Sequence, residues 1–346
     1  MEVGQTLIDE RSVLEAARGG DAAAFERLIE PHRARLHAHC YRMLGSLHDA
    51  EDALQEALIR AWRGIARFEG RSSVHSWLYR IATNACLDLI AQRRKRVLPV
   101  DYGPPSDPAR ALSGGSLPDE TWIEPYPDER ITVEDSYASP DARYEQREAV
   151  ELAFVAALQH LPPRQRAALI LRDALGLSAK EVAEILDSSQ ASVNSALQRA
   201  RAALDRRLPE RSQHATMRAL GKRRLGEIVD RFVDSFVDGD VEAIKQQLAD
   251  DVRFEMPPYP GWHQGRELVS RSWLMPERSP TGLSYLRTSA NAQLALGTYL
   301  LEPDGRRSVA IALDVLTLRG DEIAAVTAFR DPAIFTAFGL PLELPA

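Results

Sequence analysis

Between Asp49 and Phe68, apolar residues fall at Ala50, Ala53, Leu54, Ala57, Leu58, Ala61, Ile65 and Phe68. This i, i+3, i+4, i+7 spacing lines one face of an α-helix about five turns long. The opposite face carries Glu51, Asp52, Gln55, Glu56 and Arg60, and Asp49 with its neighbouring acids suits a helix N-terminus, where the backbone dipole favours negative charge. A second stripe of Trp77, Leu78, Ile81, Ala82, Ala85, Leu89 and Ile90 predicts a helix over 76–96, with Glu69-Gly-Arg-Ser-Ser as the loop before it. The helical pattern runs almost unbroken from residue 22, so residues 1–96 read as one helical domain.

The pattern then lapses. Residues 97–147 are rich in proline and acids, contain Gly114-Gly115 and hold few aliphatics. They read as a linker that would be disordered or extended on its own. Helical spacing resumes over 148–211. Leu161-Pro-Pro-Arg-Gln-Arg opens a helix with proline in its first turn, Gly176 ends it, and Ser178-Ala-Lys-Glu181 has the form of a capping box before Val182, Ala183, Ile185 and Leu186. After Asp187-Ser-Ser, a stripe of Val193, Leu197, Ala200, Leu204 and Leu208 predicts a further helix, and helix, tight turn, helix is the layout of a DNA-binding helix-turn-helix.

From about residue 222 the period changes. Two helices (225–237 and 241–249), a strand (252–256) and a helix (266–273) precede strand-like runs at 284–289, 292–301, 308–319 and 322–329. Asp304-Gly305 and Arg319-Gly-Asp are hairpin turns by residue type. Helices gathered before consecutive strands imply an α+β layer with one curved antiparallel sheet over 222–346.

Charge sharpens this division. The chain of 346 residues has net charge −7. Residues 22–96 carry thirteen bases against eight acids and end in Arg93-Arg94-Lys95-Arg96, whereas 97–147 carry four bases against eleven acids. A basic run of that kind is suited to a phosphate backbone, because each neutralised phosphate releases counterions. Cys40 and Cys86 sit in apolar stripes with no metal-ligand spacing, so they read as core thiols, and neither a metal nor a cofactor is expected. No apolar run approaches the roughly 20 residues that span a bilayer, and the first twenty residues hold acids and arginines. A cytoplasmic protein without membrane contact is expected.

Asp49-Ala-Glu-Asp-Ala-Leu-Gln-Glu with Arg60-Ala-Trp62, then Trp77-Leu-Tyr-Arg-Ile-Ala-Thr-Asn-Ala and Asp88 with the basic tail, resembles region 2 of extracytoplasmic-function sigma factors. Leu161-Pro-Pro-Arg-Gln-Arg through Arg201 resembles their region 4. The C-terminal Met256-Pro-Pro, Trp262-His-Gln-Gly265 and Arg287-Thr-Ser-Ala-Asn-Ala-Gln resemble SnoaL-like members of the cone-shaped nuclear-transport-factor-two superfold. The resemblance implies two all-α domains followed by an α+β cone. It also implies a factor that binds core RNA polymerase through its β and β′ subunits and directs promoter-specific initiation, with the cone modulating activity through contact with regions 2 and 4. On that reading the protein is not an enzyme, and the polymerase performs the chemistry.

The resemblance assigns Asp49, Glu51, Asp52, Gln55, Glu56 and Arg60 to docking on the clamp helices of β′. Capture of the melted minus-ten strand falls to Trp77, Tyr79, Arg80, Asn84, Asp88, Arg93, Arg94, Lys95 and Arg96. Aromatic rings beside cations suit that task, stacking each base for roughly 1–3 kcal/mol. Trp62 and Trp77 are equally suited to the core. Duplex minus-thirty-five contacts fall to Ser189, Gln190, Ser192, Asn194, Ser195, Gln198, Arg199 and Arg201, since Asn and Gln pair with adenine and Arg with guanine or phosphate. Asn194 and Ala196 stand where the family often has Lys and Arg, which predicts weak binding by region 4 alone. In the cone, Trp262, His263, Tyr285, Tyr299 and Asp314, with Asp251 beside them, are candidates to line a pocket. The competing reading is a helix-turn-helix regulator fused to a ligand-binding or cyclase/isomerase domain. It lacks a converging acid/base set and leaves the region 2 block without a use.

Overall fold

The computed structural model describes residues 11–107, 115–118, 121–131, 149–273 and 282–345. It divides into two compact units, one spanning 1–95, 130–149 and 157–208, the other 96–129, 150–156 and 209–346.

In the first unit, Asp21 caps α1 (Ala22–Leu44) by accepting from Ala24 N–H at 3.0 Å, and Gly45 ends it in the left-handed region at φ 71°. Ser46 caps α2 (Leu47–Gly64) and Ser73 caps α3 (Val74–Gln92), each accepting from the N–H three residues on. The apolar stripes read from the sequence meet here: Ala50, Ala53, Leu54, Ala57, Ala61, Leu78, Ala82 and Ala85 are buried, with Cys40 and Cys86 among them. The helix predicted to reach Arg96 stops at Gln92, because Arg93 is extended at φ −114°, ψ 160°. The basic tail is therefore an extended exit and not a helix end.

The helix-turn-helix follows α4 (Leu152–Gln159) and α5 (Pro163–Leu169), the latter continuing as a π-turn to Ala174. Gly176 supplies the positive φ, 67°, that the turn requires. Both bonds of the capping box are present at α6 (Ala179–Ile185): Ser178 Oγ accepts from Glu181 N–H, and Glu181 accepts from Ser178 N–H. Ser189 caps α7 (Gln190–Leu204).

In the second unit, α8 (Gln213–Val237) is broken at Gly221 (φ 75°, ψ 160°) and is followed by α9 (Val241–Gln247). The strands are β1 (Leu248–Glu255), β2 (Trp262–Gln264), β3 (Leu283–Ala290), β4 (Gln293–Leu301), β5 (Arg307–Arg319), β6 (Glu322–Phe329) and β7 (Glu343–Pro345), with α10 (Arg266–Trp273) between β2 and β3. The order is β2-β1-β6-β5-β4-β3, with β7 on β5. The sheet is mixed, since β1 runs parallel to β6, a crossover that local periodicity does not reveal. Ile228, Val229, Phe232 and Phe236 of α8, Ile244 of α9 and Val269 of α10 pack on Leu296, Leu316, Leu318, Ile323 and Val326 to form the core.

The stretch read as a free linker differs from that expectation wherever it is described. Trp122, Ile123 and Tyr126 are buried, and Val97 bridges to Trp122. Its backbone is tied to the sheet domain: Trp262 Nε1–H donates to Gly103 O at 2.7 Å, Ser106 N–H to Trp262 O at 2.7 Å, and Leu117 N–H to Pro258 O at 3.0 Å. A proline-rich strand with a few large aromatics can be ordered by a partner surface within its own chain, even where its composition supplies too little core of its own. The remainder of the linker, 108–114, 119–120 and 132–147, lies outside the described residues.

Candidate nucleic-acid interface

On α2, Glu51, Asp52, Gln55 and Glu56 are exposed. Asp49 leaves that face: it is buried and ion-paired with Arg93, because its position in the first turn points it at the exit of α3. Arg60 donates to Glu56 at 2.7 Å and to Asp88 at 2.7 Å, bonds that raise its pKa, the Asp88 bond foremost. Glu51 pairs with His37 at 3.3 Å and Arg130 at 3.2 Å. Ile59 and Trp62 are 45% and 38% exposed, so the face has an apolar centre that the sequence reading left out. Trp62 packs edge-on against Phe25, half core and half surface.

On α3, Trp77 is half-buried against Phe68, with its ring over Gly64, where an added Cβ would stand 3.4 Å from it. Tyr79 is not a surface platform. It is 1% exposed between His39 and His75, and burial raises its hydroxyl pKa. Three residues after Ser76, it turns inward with Ala82 and Cys86. Arg80 is exposed and pairs with Asp187 at 3.1 Å, Asn84 is half-buried, and Asp88 is exposed. The basic tail is largely committed: Arg93 to Asp49, Lys95 to His160 at 2.6 Å, and Arg96, buried, to Trp122 O at 2.6 Å and Glu124 at 3.3 Å. Arg94 is exposed. An extended chain turns alternate side chains to opposite sides, so a run of four cations there cannot present one face as a helix end would.

Helix α7 keeps more of its assigned residues at the surface. Gln190, Ser192, Asn194, Gln198 and Arg199 are exposed, with Gln190, Asn194 and Gln198 on one stripe four residues apart. Ser189 is spent as N-cap, Ser195 accepts from Arg199 at 2.6 Å, and Arg201 makes a two-pronged pair with Asp173 at 2.6 and 3.0 Å. That pair raises the Arg201 pKa and anchors the helix to the preceding turn.

Within the same unit α3 packs against α5 and α6, and α1 against α5. At this contact Arg166, 4% exposed, donates to Met43 O, to Gln159 Oε1 at 2.6 Å and O at 3.0 Å, and to Leu161 O at 3.3 Å. Gln159 returns a bond to Arg42 O at 3.2 Å, and Arg42 Nε–H donates to Ala149 O at 3.1 Å. Every acceptor of Arg166 is uncharged, and burial brings its pKa down to about 10. Arg166 was missed because it reads as one more cation in Pro-Arg-Gln-Arg, with nothing local to mark it as buried.

The five pocket candidates do not converge. Strand alternation puts Asp314 in step with Leu316 and Leu318, and Tyr285, packed on Phe236, opposite Thr298. Thr298 donates to Asp314 at 2.6 Å, and burial raises the Asp314 pKa to about 6. His263 pairs with Phe254 on this helix-facing side. Trp262 and Tyr299 take the other face, against Gly103 and against Phe335 and Pro341 O. Asp251 is exposed and ion-paired with Arg319. Among the described residues no group of three or more His, Cys, Asp or Glu could hold a metal ion, and no helix is long and apolar enough to cross a membrane.

Comparison with known proteins gives three family matches: Sigma-70 region 2 over residues 28–96, Sigma-70 region 4 over 151–204, and a SnoaL-like domain over 229–326. The ECF RNA polymerase sigma factor SigG of Mycobacterium tuberculosis is 40% identical over 344 residues, covering 98% of this chain and 90% of SigG. The ECF RNA polymerase sigma-E factor of Escherichia coli is 29% identical over 208 residues, 58% of this chain and 95% of that protein. In fold, the chain matches the crystal structure of the Mycobacterium tuberculosis extracytoplasmic function sigma factor SigJ with TM-score 0.57 at 22% identity, over 90% of this chain and 97% of that one.

Proposed function

Because the chain belongs to the extracytoplasmic-function sigma factors of RNA polymerase, we propose a division of labour among its named residues. Glu51, Asp52, Gln55 and Glu56, around exposed Ile59 and Trp62, dock on the β′ subunit of core polymerase. An apolar centre within a rim of both signs is the make-up of a specific protein interface. Trp77, Arg80, Asn84, Asp88 and Arg94 take the melted minus-ten strand, Trp77 by stacking and the cations along the phosphates. Gln190, Ser192, Asn194, Gln198 and Arg199 lie on the minus-thirty-five duplex, within reach of the β subunit's side of the enzyme. The single cation on that face, Arg199, makes few phosphate contacts, so region 4 depends on the polymerase tethering both regions to one promoter.

The C-terminal unit acts as a regulator without catalysis: it tunes the factor by holding the connecting segment through Trp122, Tyr126 and Asp128. The protein works where polymerase and promoter meet, in the cytoplasm. The functional boundaries follow 1–96 and 148–211 for the two polymerase modules, with 97–147 shared between linker and regulator. The observation that carries the reading is the presence of both sigma regions in one chain that aligns with a sigma factor almost end to end. In vitro transcription with core polymerase tests it. The full chain should direct initiation at a selected promoter, Trp77→Ala should abolish opening while leaving polymerase binding intact, and Asn194→Ala should relax minus-thirty-five selectivity. A chain that never associates with core polymerase would overturn the reading.

A further inference from the structure

Within the second unit, a cavity of about 40 Å³ lies where the connecting segment meets the sheet domain. Trp122 and Pro125 of the segment wall one side, and Pro257, Pro258, Phe329 and Ile334 wall the other, so the lining is mostly apolar. A water takes roughly 10–15 Å³ of such a space, so about three waters fill it, or a carboxylate with one or two carbons behind it. The hydrogen-bonding groups around it are out of balance. Trp122 is 3% exposed, yet its indole N–H has no acceptor among the described residues. Arg330, which also lines the cavity, makes no ion pair among them, and its guanidinium reaches only Met256 Sδ at 3.8 Å. The acceptors, by contrast, are engaged. Glu124 is paired with Arg96 at 3.3 Å, and Asp331 accepts from Ala333 N–H at 2.9 Å. Pro257 O takes Arg330 N–H at 2.8 Å, and Pro258 O takes Leu117 N–H at 3.0 Å. One neutral donor and one charged donor are left over, so what enters here must bring acceptors and negative charge.

We propose that this cavity is a binding site for a small aliphatic monocarboxylate, its oxygens taken by Arg330 and the Trp122 indole N–H and its short chain laid against Phe329, Ile334 and the prolines. A single guanidinium matches a single carboxylate, in charge and in its paired donors. Glu124 and Asp331, which border the same space, count against a dianion such as phosphate, because each further negative charge meets theirs. The apolar walls favour a hydrocarbon tail over a second polar group. Such a ligand touches the connecting segment and the sheet domain together, and a group that binds only the docked arrangement shifts the equilibrium toward it. Bound acid therefore braces residues 121–126 where they lie. That consequence rests on the reading that the second unit regulates by holding this segment.

Butyrate titrated into the full chain tests this, followed by calorimetry and by hydrogen exchange, with butyramide and inorganic phosphate run beside it. Butyrate should bind saturably with Kd about 1 mM or below, within reach of a ligand of so few atoms. At ten times its Kd it should slow exchange at 121–126 about tenfold, whereas butyramide and phosphate should leave exchange there unchanged. Arg330→Gln alters an exposed side chain and keeps the backbone bond to Pro257 O. It should weaken butyrate binding at least tenfold while ligand-free exchange at 121–126 stays at the native rate. The proposal is overturned if butyrate does not saturate, if butyramide or phosphate serves as well, or if Arg330→Gln binds butyrate as tightly as the native chain. Fast exchange at 121–126 in the ligand-free native chain would bring down the regulatory reading and this site with it. Slow exchange there that butyrate leaves untouched would bring down the site alone.

Discussion

Each unit holds a distant piece of chain by capturing its backbone with buried side chains, but the two use different chemistry. In the first, a guanidinium collects four uncharged oxygens. In the second, side-chain amides do the work. Asn291 Oδ1 accepts from Tyr126 N–H at 2.9 Å while its Nδ2–H donates to Val150 O at 2.7 Å. Gln293 accepts from Leu152 N–H at 3.0 Å, and Gln213 both donates to and accepts from the backbone of Leu318, at 2.8 and 2.7 Å. Charged groups join them: Glu151 accepts from Gln213 and His214 N–H at 2.9 and 2.7 Å at the start of α8, where the helix dipole favours it, Asp128 accepts from Ala292 N–H at 2.7 Å, and Arg96 donates to Trp122 O beside Glu124. A neutral amide whose bonds are satisfied on both sides loses little by burial, whereas a lone cation always has hydration to regain.

The sharpest way to break this comparison is to remove an amide. Asn291→Ala leaves Tyr126 N–H and Val150 O buried without partners, at about 1–3 kcal/mol each, and forfeits a residue type tolerant of its φ of 56°. A loss of about 3 kcal/mol in denaturant unfolding of the second unit is expected, with hydrogen exchange at 121–131 rising at the same time. Unchanged exchange there would show that the segment is held by other means.

Acid separates the units next. Burial lowers the pKa of His39 to about 3 and of His75 to about 4, and lowers His37 to about 4 as well. A histidine depressed in the folded state contributes stability that is complete above the unfolded value near 6.5 and is lost as pH falls toward the folded one. At pH 5 fully buried His39 alone removes about 2 kcal/mol, at about 1.4 kcal/mol per pH unit below 6.5. Hydrogen exchange at pH 7.5 and 5 should show protection falling over residues 22–92 while the strands of 283–329 hold. His39→Gln, which keeps a bond to Thr83 within reach (2.9 Å in the native chain), should flatten the acid limb.

Much of this architecture is readable from local pattern. The capping box at Ser178, the limits of α10 and of β6, and the apolar stripes of α2 and α3 all match the sequence reading within a few residues, because capping and periodicity are set by neighbours in the chain. What escaped depends on partners far away in sequence. Nothing near Arg166 announces that Met43 O lies over it, and nothing in Trp122-Ile-Glu-Pro-Tyr126 tells a captured strand from a free one. The Asn291-Ala292 turn, with φ of 56° and 55°, joins β3 to β4 as a two-residue hairpin. It was passed over for the more familiar Asp-Gly and Gly-Asp pairs. The pocket candidates divide for a related reason: residue type proposed them together, but the period of two along a strand sends Trp262 and Tyr299 to one face and His263, Tyr285 and Asp314 to the other.

Asp314 offers the smallest and most discriminating test, because its sign opposes that of the histidines. With its pKa raised to about 6 by burial, the folded chain prefers the protonated acid, so stability is fully present below the unfolded carboxylate value near 3.9 and is lost as pH rises through 6. Asp314→Asn keeps the shape and a bond to Thr298 but has no charge to bury. The second unit should gain about 1–2 kcal/mol at pH 7.5 relative to the native chain and nothing at pH 4. If the variant followed the native curve across that range, Asp314 would be solvated in the folded chain, and the helix-facing side of the sheet would be wetter than its packing of Phe236, Phe254 and Trp273 implies.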